Sequence, residues 1–287
     1  MPKSVSKDIT LPNFLGIGIQ KAGTTWLYDV LQSHSEVFLP QEKKEVHFFD
    51  THYSKGLNWY TQFFKNTQKY KIVGEITPKY IFEENCLKRI KKDLDSKTKF
   101  IVILRDPVQR FISSYNYAKQ NHNFKGPIKD FHKQNVQAFQ RGLYFEQLTR
   151  WYKKYPKKQF LVLYFEEDII KHPQKALEKL AKFLQIDPKK FNSSVLQSKS
   201  NASYTIRYNW LYSKGIKFAK FLRAKNLDYV VNKVKDSNML FMFKSKAKKE
   251  EIDSNFKKML YKKYKQDIEN LEKLMKKDLS MWKKHEK

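Results

Sequence analysis

Residues 14–26 read FLGIGIQKAGTTW, and the order of residue types in this stretch decides the fold. The apolar run within 13–20 predicts a buried strand. Gly18-Ile19-Gln20-Lys21-Ala22-Gly23-Thr24-Thr25 then predicts a tight turn, and 24–33 predicts a helix with Leu27, Val30 and Leu31 on one face. A helix start offers unpaired backbone N–H groups and the positive end of a dipole, so it favours an anion. The glycines let the backbone approach that anion closely, and Lys21 adds a movable point charge. The stretch reads as the phosphate-gripping end of a nucleotide site. Gly18 and Gly23 keep the glycine spacing of a Walker A loop, but Thr24 stands where the lysine belongs and the lysine has moved to position 21. That displacement suits a nucleotide other than the substrate of an ATP or GTP hydrolase. The plain alternative is a strand-to-helix turn that needs glycine and caps its helix with threonine.

Outward from this stretch, strands are predicted at 37–39, 71–77, 100–104 and 159–165. Helices are predicted between them at 57–64, 84–95, from Pro107 onward, 142–155 and 173–184. The helix after Pro107 carries Val108, Phe111, Ile112 and Tyr115 at helical spacing. The alternation implies an α/β fold: a P-loop-like, three-layer domain with a central parallel sheet flanked by helices. Residues 119–140 read as polar and irregular, 187–209 as a Ser/Asn-rich loop, and 215–287 as a helical, lysine-rich closing segment. Residues 1–10 read as a loose arm and 11–287 as one domain, with 215–251 the one candidate boundary.

A chain of 287 residues with 40% hydrophobic and 15% aromatic content can build one large core, or at most two. No apolar run reaches the roughly 18–20 residues of a membrane span. Cys86 is the one cysteine, so no internal disulfide is possible, and a cytoplasmic location is the expectation. Lys+Arg number 58 against 29 Asp+Glu, a net charge of +29. That excess fits an anionic partner such as a nucleotide, a polyanionic acceptor, a nucleic acid or an anionic membrane face. It equally fits a solvated lysine-rich surface, because the lysines are spread along the chain. No HExxH or Cys/His ligand cluster occurs, so no metal is expected.

A second anion signal is Ile103-Leu104-Arg105-Asp106-Pro107, followed by Arg110, Ser113 and Tyr115. Arginine gives a phosphate a bidentate fork, and a serine two turns into the helix gives it a hydroxyl. Two separate anion grips suggest a nucleotide phosphorylated at both ends. In the alternative, Arg105 pairs with Asp106 or another nearby carboxylate and Ser113 is a surface residue.

Together, QKAGTTW and LRDPVQRFISSY resemble the sulfotransferase superfamily. The resemblance covers residues 13–283, because Tyr264-Lys265-Gln266-Asp267-Ile268 and Leu279-Ser280-Met281-Trp282 are similar to the closing segment of many bacterial members. It implies 3′-phosphoadenosine 5′-phosphosulfate as donor and adenosine 3′,5′-bisphosphate as product. It also implies that Lys21, Ala22, Gly23, Thr24, Thr25 and Trp26 hold the 5′ end, with Trp26 either stacked on adenine or packed in the core. Arg105 and Ser113 would hold the 3′-phosphate, and Arg207, in the loop after Asn201-Ala202-Ser203, is a further candidate for it.

Glu45-Val46-His47-Phe48-Phe49-Asp50, with Gly56-Leu57-Asn58-Trp59-Tyr60, more narrowly resembles heparan sulfate glucosamine 3-O-sulfotransferases and their N-sulfotransferase relatives. That resemblance implies Glu45 as catalytic base and a hydroxyl or amine of a saccharide or glycolipid as acceptor. Trp59, Tyr60, Tyr80, His122 and Lys125 are candidates to line an acceptor groove. Glu75-Ile76-Thr77-Pro78-Lys79-Tyr80 is similar to the family's E-K-T-P-A-Y segment, except that Ile76 replaces a lysine. Thr25 likewise stands where the family's loop has an arginine.

Sulfuryl transfer, like phosphoryl transfer, is an in-line displacement, so the chemistry asks for positioning and charge stabilisation. Glu45 would take the acceptor's proton from about 3 Å, and Lys21 would stabilise the leaving oxygen. His47 would orient the acceptor or serve as an alternative base. The bland rival has Glu45 pairing with Lys43 or Lys44 on a solvated turn. Two other function classes stay open: a P-loop nucleotide kinase, which needs Mg²⁺ and a Walker lysine, and a non-enzymatic polyanion- or nucleic-acid-binding protein. On the leading reading no nucleic-acid partner is expected, and peripheral contact with an anionic membrane is open.

Overall fold

The computed structural model describes residues 11–121, 124–192, 204–206, 244–246 and 250–286. The chain divides into two compact units, Met1–Ser200 with Ile252–Lys287, and Asn201–Glu251. The first unit is built on five strands, β1 (Phe14–Gly18), β2 (Val37–Phe38), β3 (Ile72–Ile76), β4 (Lys99–Leu104) and β5 (Phe160–Tyr164). They lie in the order β2-β3-β1-β4-β5, and every pairing is parallel. Helices α1 (Thr24–Gln32), α2 (Leu57–Thr61), α3 (Glu84–Asp93) and α4 (Pro107–Asn121) follow the first four strands. Beyond them, α7 (Tyr144–Tyr152) precedes β5 and α8 (Pro173–Leu184) follows it.

All residues of β1 and β3 are buried, and so is β4 beyond its first residue. Unbroken apolar runs of this kind are what a parallel sheet covered on both faces requires. Gly74 lies in that layer because the Phe14 ring of the neighbouring strand occupies the space of a side chain there.

The strand order places the site. Beside β1 the chain has β3 on one flank and β4 on the other, so connections leave in opposite directions and a crevice opens at the carboxyl ends. Gly18 pairs with Val102, and the Ile19 amide donates to the Ile103 carbonyl at 3.0 Å. The turn after β1 and the segment after β4 therefore leave the sheet side by side. Since all five strands are parallel, the segments that follow β2 and β3 emerge at the same edge.

The closing helix α9 (Ser254–Met275) buries Phe256, Leu260, Tyr264, Ile268 and Leu271 against α4 and α7. Its Asp267 accepts the amides of Tyr144 (2.7 Å) and Phe145 (3.2 Å), which caps the start of α7. Burial pushes that carboxyl up to about 6. The turn Ser280–His285 then returns to the sheet edge. There the Trp282 indole donates to Glu166 (3.2 Å), and His285 meets Asp106 at 2.8 Å.

Three stretches differ from the sequence expectation. Within 119–140, α4 runs on to Asn121, and two short helices follow, α5 (Ile128–Gln134) and α6 (Val136–Gln140). Their signal is only Ile128 and Phe131 one turn apart plus Ala138, all buried, amid polar neighbours. In the second unit, β6 (Tyr204–Ile206) pairs antiparallel with β7 (Lys244–Lys246). This ribbon interrupts both the loop expected at 187–209 and the helix expected beyond 215. Strands of three residues carry too little alternation to be read from a pattern.

Candidate active site

The turn after β1 has the geometry of an anion cradle. Lys21 and Gly23 both have positive φ, 69° and 101°. Gly23 is the N-cap of α1, with no side-chain cap, so the alternative of a threonine cap does not hold. A Cβ at Gly23 would also stand 2.8 Å from the Phe165 ring. The first helical bond runs from the Leu27 amide to the Gly23 carbonyl (3.2 Å), which leaves the amides ahead of it without an intrahelical acceptor.

Arg105 joins this turn to β4. Its Nη1 donates to the Lys21 carbonyl at 2.9 Å, and its guanidinium lies 4.5 Å from the centre of the Phe165 ring. The Tyr144 hydroxyl donates to the Arg105 carbonyl at 2.8 Å and fixes the backbone there. The expected alternative, a pair with Asp106, is not what forms. Asp106 turns away to cap α4 through the Val108 amide (2.9 Å) and to meet His285 and Lys284 (2.8 and 3.3 Å). Among the described residues Arg105 has no carboxylate at ion-pair distance. Its Nε is buried without a partner, and burial lowers its pKa.

Burial also pushes the Lys21 ammonium down to about 8; the Arg105 charge adds to this and the Glu45 charge opposes it. The ammonium lies 4.0 Å from the centre of the half-exposed Tyr117 ring. Two desolvated cations beside helix amides form a donor set that fits a phosphorylated ligand.

Glu45 follows β2, and its charge acts on Lys21. Its partner is His47 rather than Lys43 or Lys44: Oε2 lies 3.2 Å from His47 Nε2. Lys43 instead lies 5.5 Å from the Trp59 ring centre, and the Lys44 ammonium donates to Thr25 Oγ1 at 2.7 Å. The other His47 nitrogen, Nδ1, lies 2.9 Å from Asp50 Oδ2, which Lys79 also approaches at 3.6 Å. An imidazole between two carboxylates donates through both nitrogens only as a cation. The bonds to Asp50 and Glu45 raise His47 to about 9. His47 is thus charged at neutral pH and has no lone pair with which to take a proton. In an NMR titration the His47 ring should show a midpoint near 9. Asp50→Asn should bring the midpoint down toward the usual value near 6.5; an unchanged midpoint would refute this cause.

The remaining expected residues fall as follows. Ala22 and Thr24 are buried, and Thr25 is exposed at the mouth of the turn. Trp26 is buried at 4% exposure. Ser113 is half-buried on α4, two turns from Arg105. Tyr60 and Tyr80 are fully buried, so neither is available to line an acceptor groove; Trp59 is half-buried. Arg207, His122 and Asn201-Ala202-Ser203 lie outside the described residues. The sequence reading missed Asp50 as a partner of His47, although its i, i+3 spacing was a readable signal. It also missed the Asp106–His285 clamp, whose partners are 179 positions apart.

Among the described residues no group of three or more His, Cys, Asp or Glu side chains is placed to hold a metal ion. Nor is any described helix long and apolar enough to cross a membrane.

A family model described as a sulfotransferase domain matches residues 11–287. Heparan sulfate glucosamine 3-O-sulfotransferase 5 of Homo sapiens is 28% identical over 220 residues, which is 71% of this chain and 62% of that protein. Membrane-associated sulfotransferase kil1 of Dictyostelium discoideum is 38% identical over 117 residues, 40% of this chain and 24% of that protein. The chain thus spans less than two thirds of the length of either relative. A solved sulfotransferase from Alicyclobacillus acidocaldarius shares the fold, with a TM-score of 0.69 at 19% identity over 96% of this chain and 100% of that one.

Proposed function

Because the chain belongs to the sulfotransferase domain family, we propose that it moves a sulfuryl group from 3′-phosphoadenosine 5′-phosphosulfate to a hydroxyl or amine of a saccharide acceptor. The observation that carries this reading is the turn after β1, where Arg105 donates to the Lys21 carbonyl at 2.9 Å beside the uncapped start of α1 and the Glu45 charge acts on Lys21. A base for the acceptor and a cation for the leaving group are what in-line transfer needs. The nucleotide, when bound, supplies the activated sulfuryl group.

On this reading the amides of 23–26, Lys21 and Thr25 hold its 5′ end, and Arg105 with Ser113 its 3′-phosphate. Lys21 neutralises charge on the departing phosphate. Glu45 accepts the acceptor proton through the carboxylate oxygen not engaged by His47. The His47 cation, braced by Asp50, holds Glu45 in one rotamer. The saccharide half of the reading draws support from the relatives whose printed names specify glucosamine in heparan sulfate.

The test is transfer of labelled sulfate from the nucleotide to a panel of glucosamine-containing oligosaccharides, glycolipids, phenols and alcohols. Label on the saccharides is expected. Label on phenols or alcohols but on no saccharide overturns the acceptor. No transfer, with no thermal stabilisation by millimolar adenosine 3′,5′-bisphosphate, overturns the activity.

A further inference from the structure

Glu75 is the penultimate residue of β3 and has no solvent exposure, yet it is a carboxylic acid in a strand otherwise made of Ile, Val and Gly. Its carboxyl gathers four donors. The Tyr60 hydroxyl donates at 2.7 Å, the Thr77 hydroxyl at 2.8 Å and the Tyr80 hydroxyl at 3.0 Å, and the Val46 amide is the fourth. Two of these hydroxyls are themselves acceptors. Thr77 Oγ1 receives the His47 amide at 3.4 Å. The Tyr80 oxygen receives the Phe48 amide at 3.0 Å and the Phe49 amide at 3.4 Å. A hydroxyl that accepts from an amide must send its own proton elsewhere, and here both send it to Glu75. Four consecutive amides, Val46 to Phe49, therefore end on one carboxylate, directly or through one hydroxyl.

Those four residues directly follow Glu45. Within them His47 takes a left-handed conformation, φ 57° and ψ 33°, which few side chains adopt without support. That turn is what lets the His47 ring meet Glu45 on one side and Asp50 on the other. A surface turn needs no such buried group: burying a carboxylate costs several kcal/mol, and the donors reduce that cost without cancelling it, since burial still raises the Glu75 carboxyl.

We infer that Glu75 is the positioning residue of the Glu45 base: it sets the turn at His47 and so holds Glu45 ready for the acceptor proton. The inference rests on the reading of Glu45 as base. Glu75 touches no reactant, and its effect on turnover passes through Glu45.

A double-mutant cycle on the full chain tests this. Turnover and KM for the nucleotide are measured for wild type, Glu75→Gln, Glu45→Gln and the double variant. Thermal stabilisation by adenosine 3′,5′-bisphosphate is followed in each. The glutamine keeps the volume but turns an NH₂ group toward hydroxyls that need an acceptor. Glu75→Gln should lower kcat about 10–100-fold, the scale of misplacing a catalytic group by an ångström, with nucleotide KM and ligand stabilisation retained. On the Glu45→Gln background the same change should cost less than about twofold, because the group it positions is already disabled. Equal losses on both backgrounds, or a kcat loss matched by lost ligand stabilisation, overturn the inference and leave the reading of Glu45 intact. Full activity in Glu45→Gln overturns that reading and this one with it. If Glu75→Gln does not fold, Tyr80→Phe removes the hydroxyl that carries Phe48 and Phe49 while keeping the ring. It should show the same coupling at a smaller loss, and independence from Glu45 again overturns the inference.

Discussion

Glu45→Gln is expected to lower kcat by about 10²–10⁴-fold, the range that a positioned general base contributes, while adenosine 3′,5′-bisphosphate still stabilises the protein. The side chain is about one-third exposed, with 32% of its surface accessible, and it closes no core contact, so the amide should leave the fold in place. The change is close to isosteric and removes the proposed proton acceptor. It also removes one of the two carboxylates that hold the His47 cation, so the His47 midpoint should fall from near 9 toward its usual range. Kinetics and NMR therefore report the same substitution independently. Retained turnover with a shifted His47 would show that Glu45 anchors the imidazole but takes no proton. Lost turnover together with lost nucleotide stabilisation would show that the carboxylate belongs to the binding site instead.

Much of this site was legible because its chemistry is contiguous in sequence. The anion turn is one eight-residue stretch between a buried strand and a helix. Arg105 follows a strand whose apolar run cannot be read as anything but interior. The parallel sheet follows from the same runs, since strands covered on both faces need no alternation. What the pattern could not give is the assignment of partners across the chain. Arg105 and Asp106 are neighbours of opposite charge, which keeps a pair open as the alternative reading. In the structure Asp106 is claimed by His285 and by the amides of α4, and Arg105 is left turned to the carbonyl of Lys21. Glu75 had no visible role for the same reason: its donors come from 46, 60, 77 and 80, and only the fold gathers them. Trp26 shows a different limit of the pattern. A tryptophan in a ligand turn invites stacking, but at the third position of α1 the helical period turns it into the core.

Lys21→Ala should have the second large effect, with a signature separate from that of Glu45. Loss of one preorganised donor at a developing negative charge costs about 2.7–4 kcal/mol, or roughly 10²–10³-fold in kcat. On the proposed reading nucleotide stabilisation should fall as well, because the same ammonium would also meet the ground-state phosphate. The lowered pKa of Lys21 supplies the sign of a pH test. In the free protein the ammonium is held down to about 8 by burial and by Arg105, so its charged form is disfavoured. That penalty on folding is present at pH below 8 and is relieved as pH rises from 8 toward the usual lysine value near 10.4. Lys21→Ala should therefore be more stable than wild type at neutral pH without ligand, and the gain should shrink through that window. A bound phosphate favours the charged form and raises the pKa. At pH 8.5, binding of adenosine 3′,5′-bisphosphate should thus take up protons, measured by calorimetry in buffers of different ionisation enthalpy. The uptake should be absent at pH 6.5, where Lys21 is already charged, and absent at both pH values in Lys21→Ala. Equal uptake in wild type and Lys21→Ala at pH 8.5 would show that the proton lands elsewhere and that Lys21 is not the cation facing the phosphate.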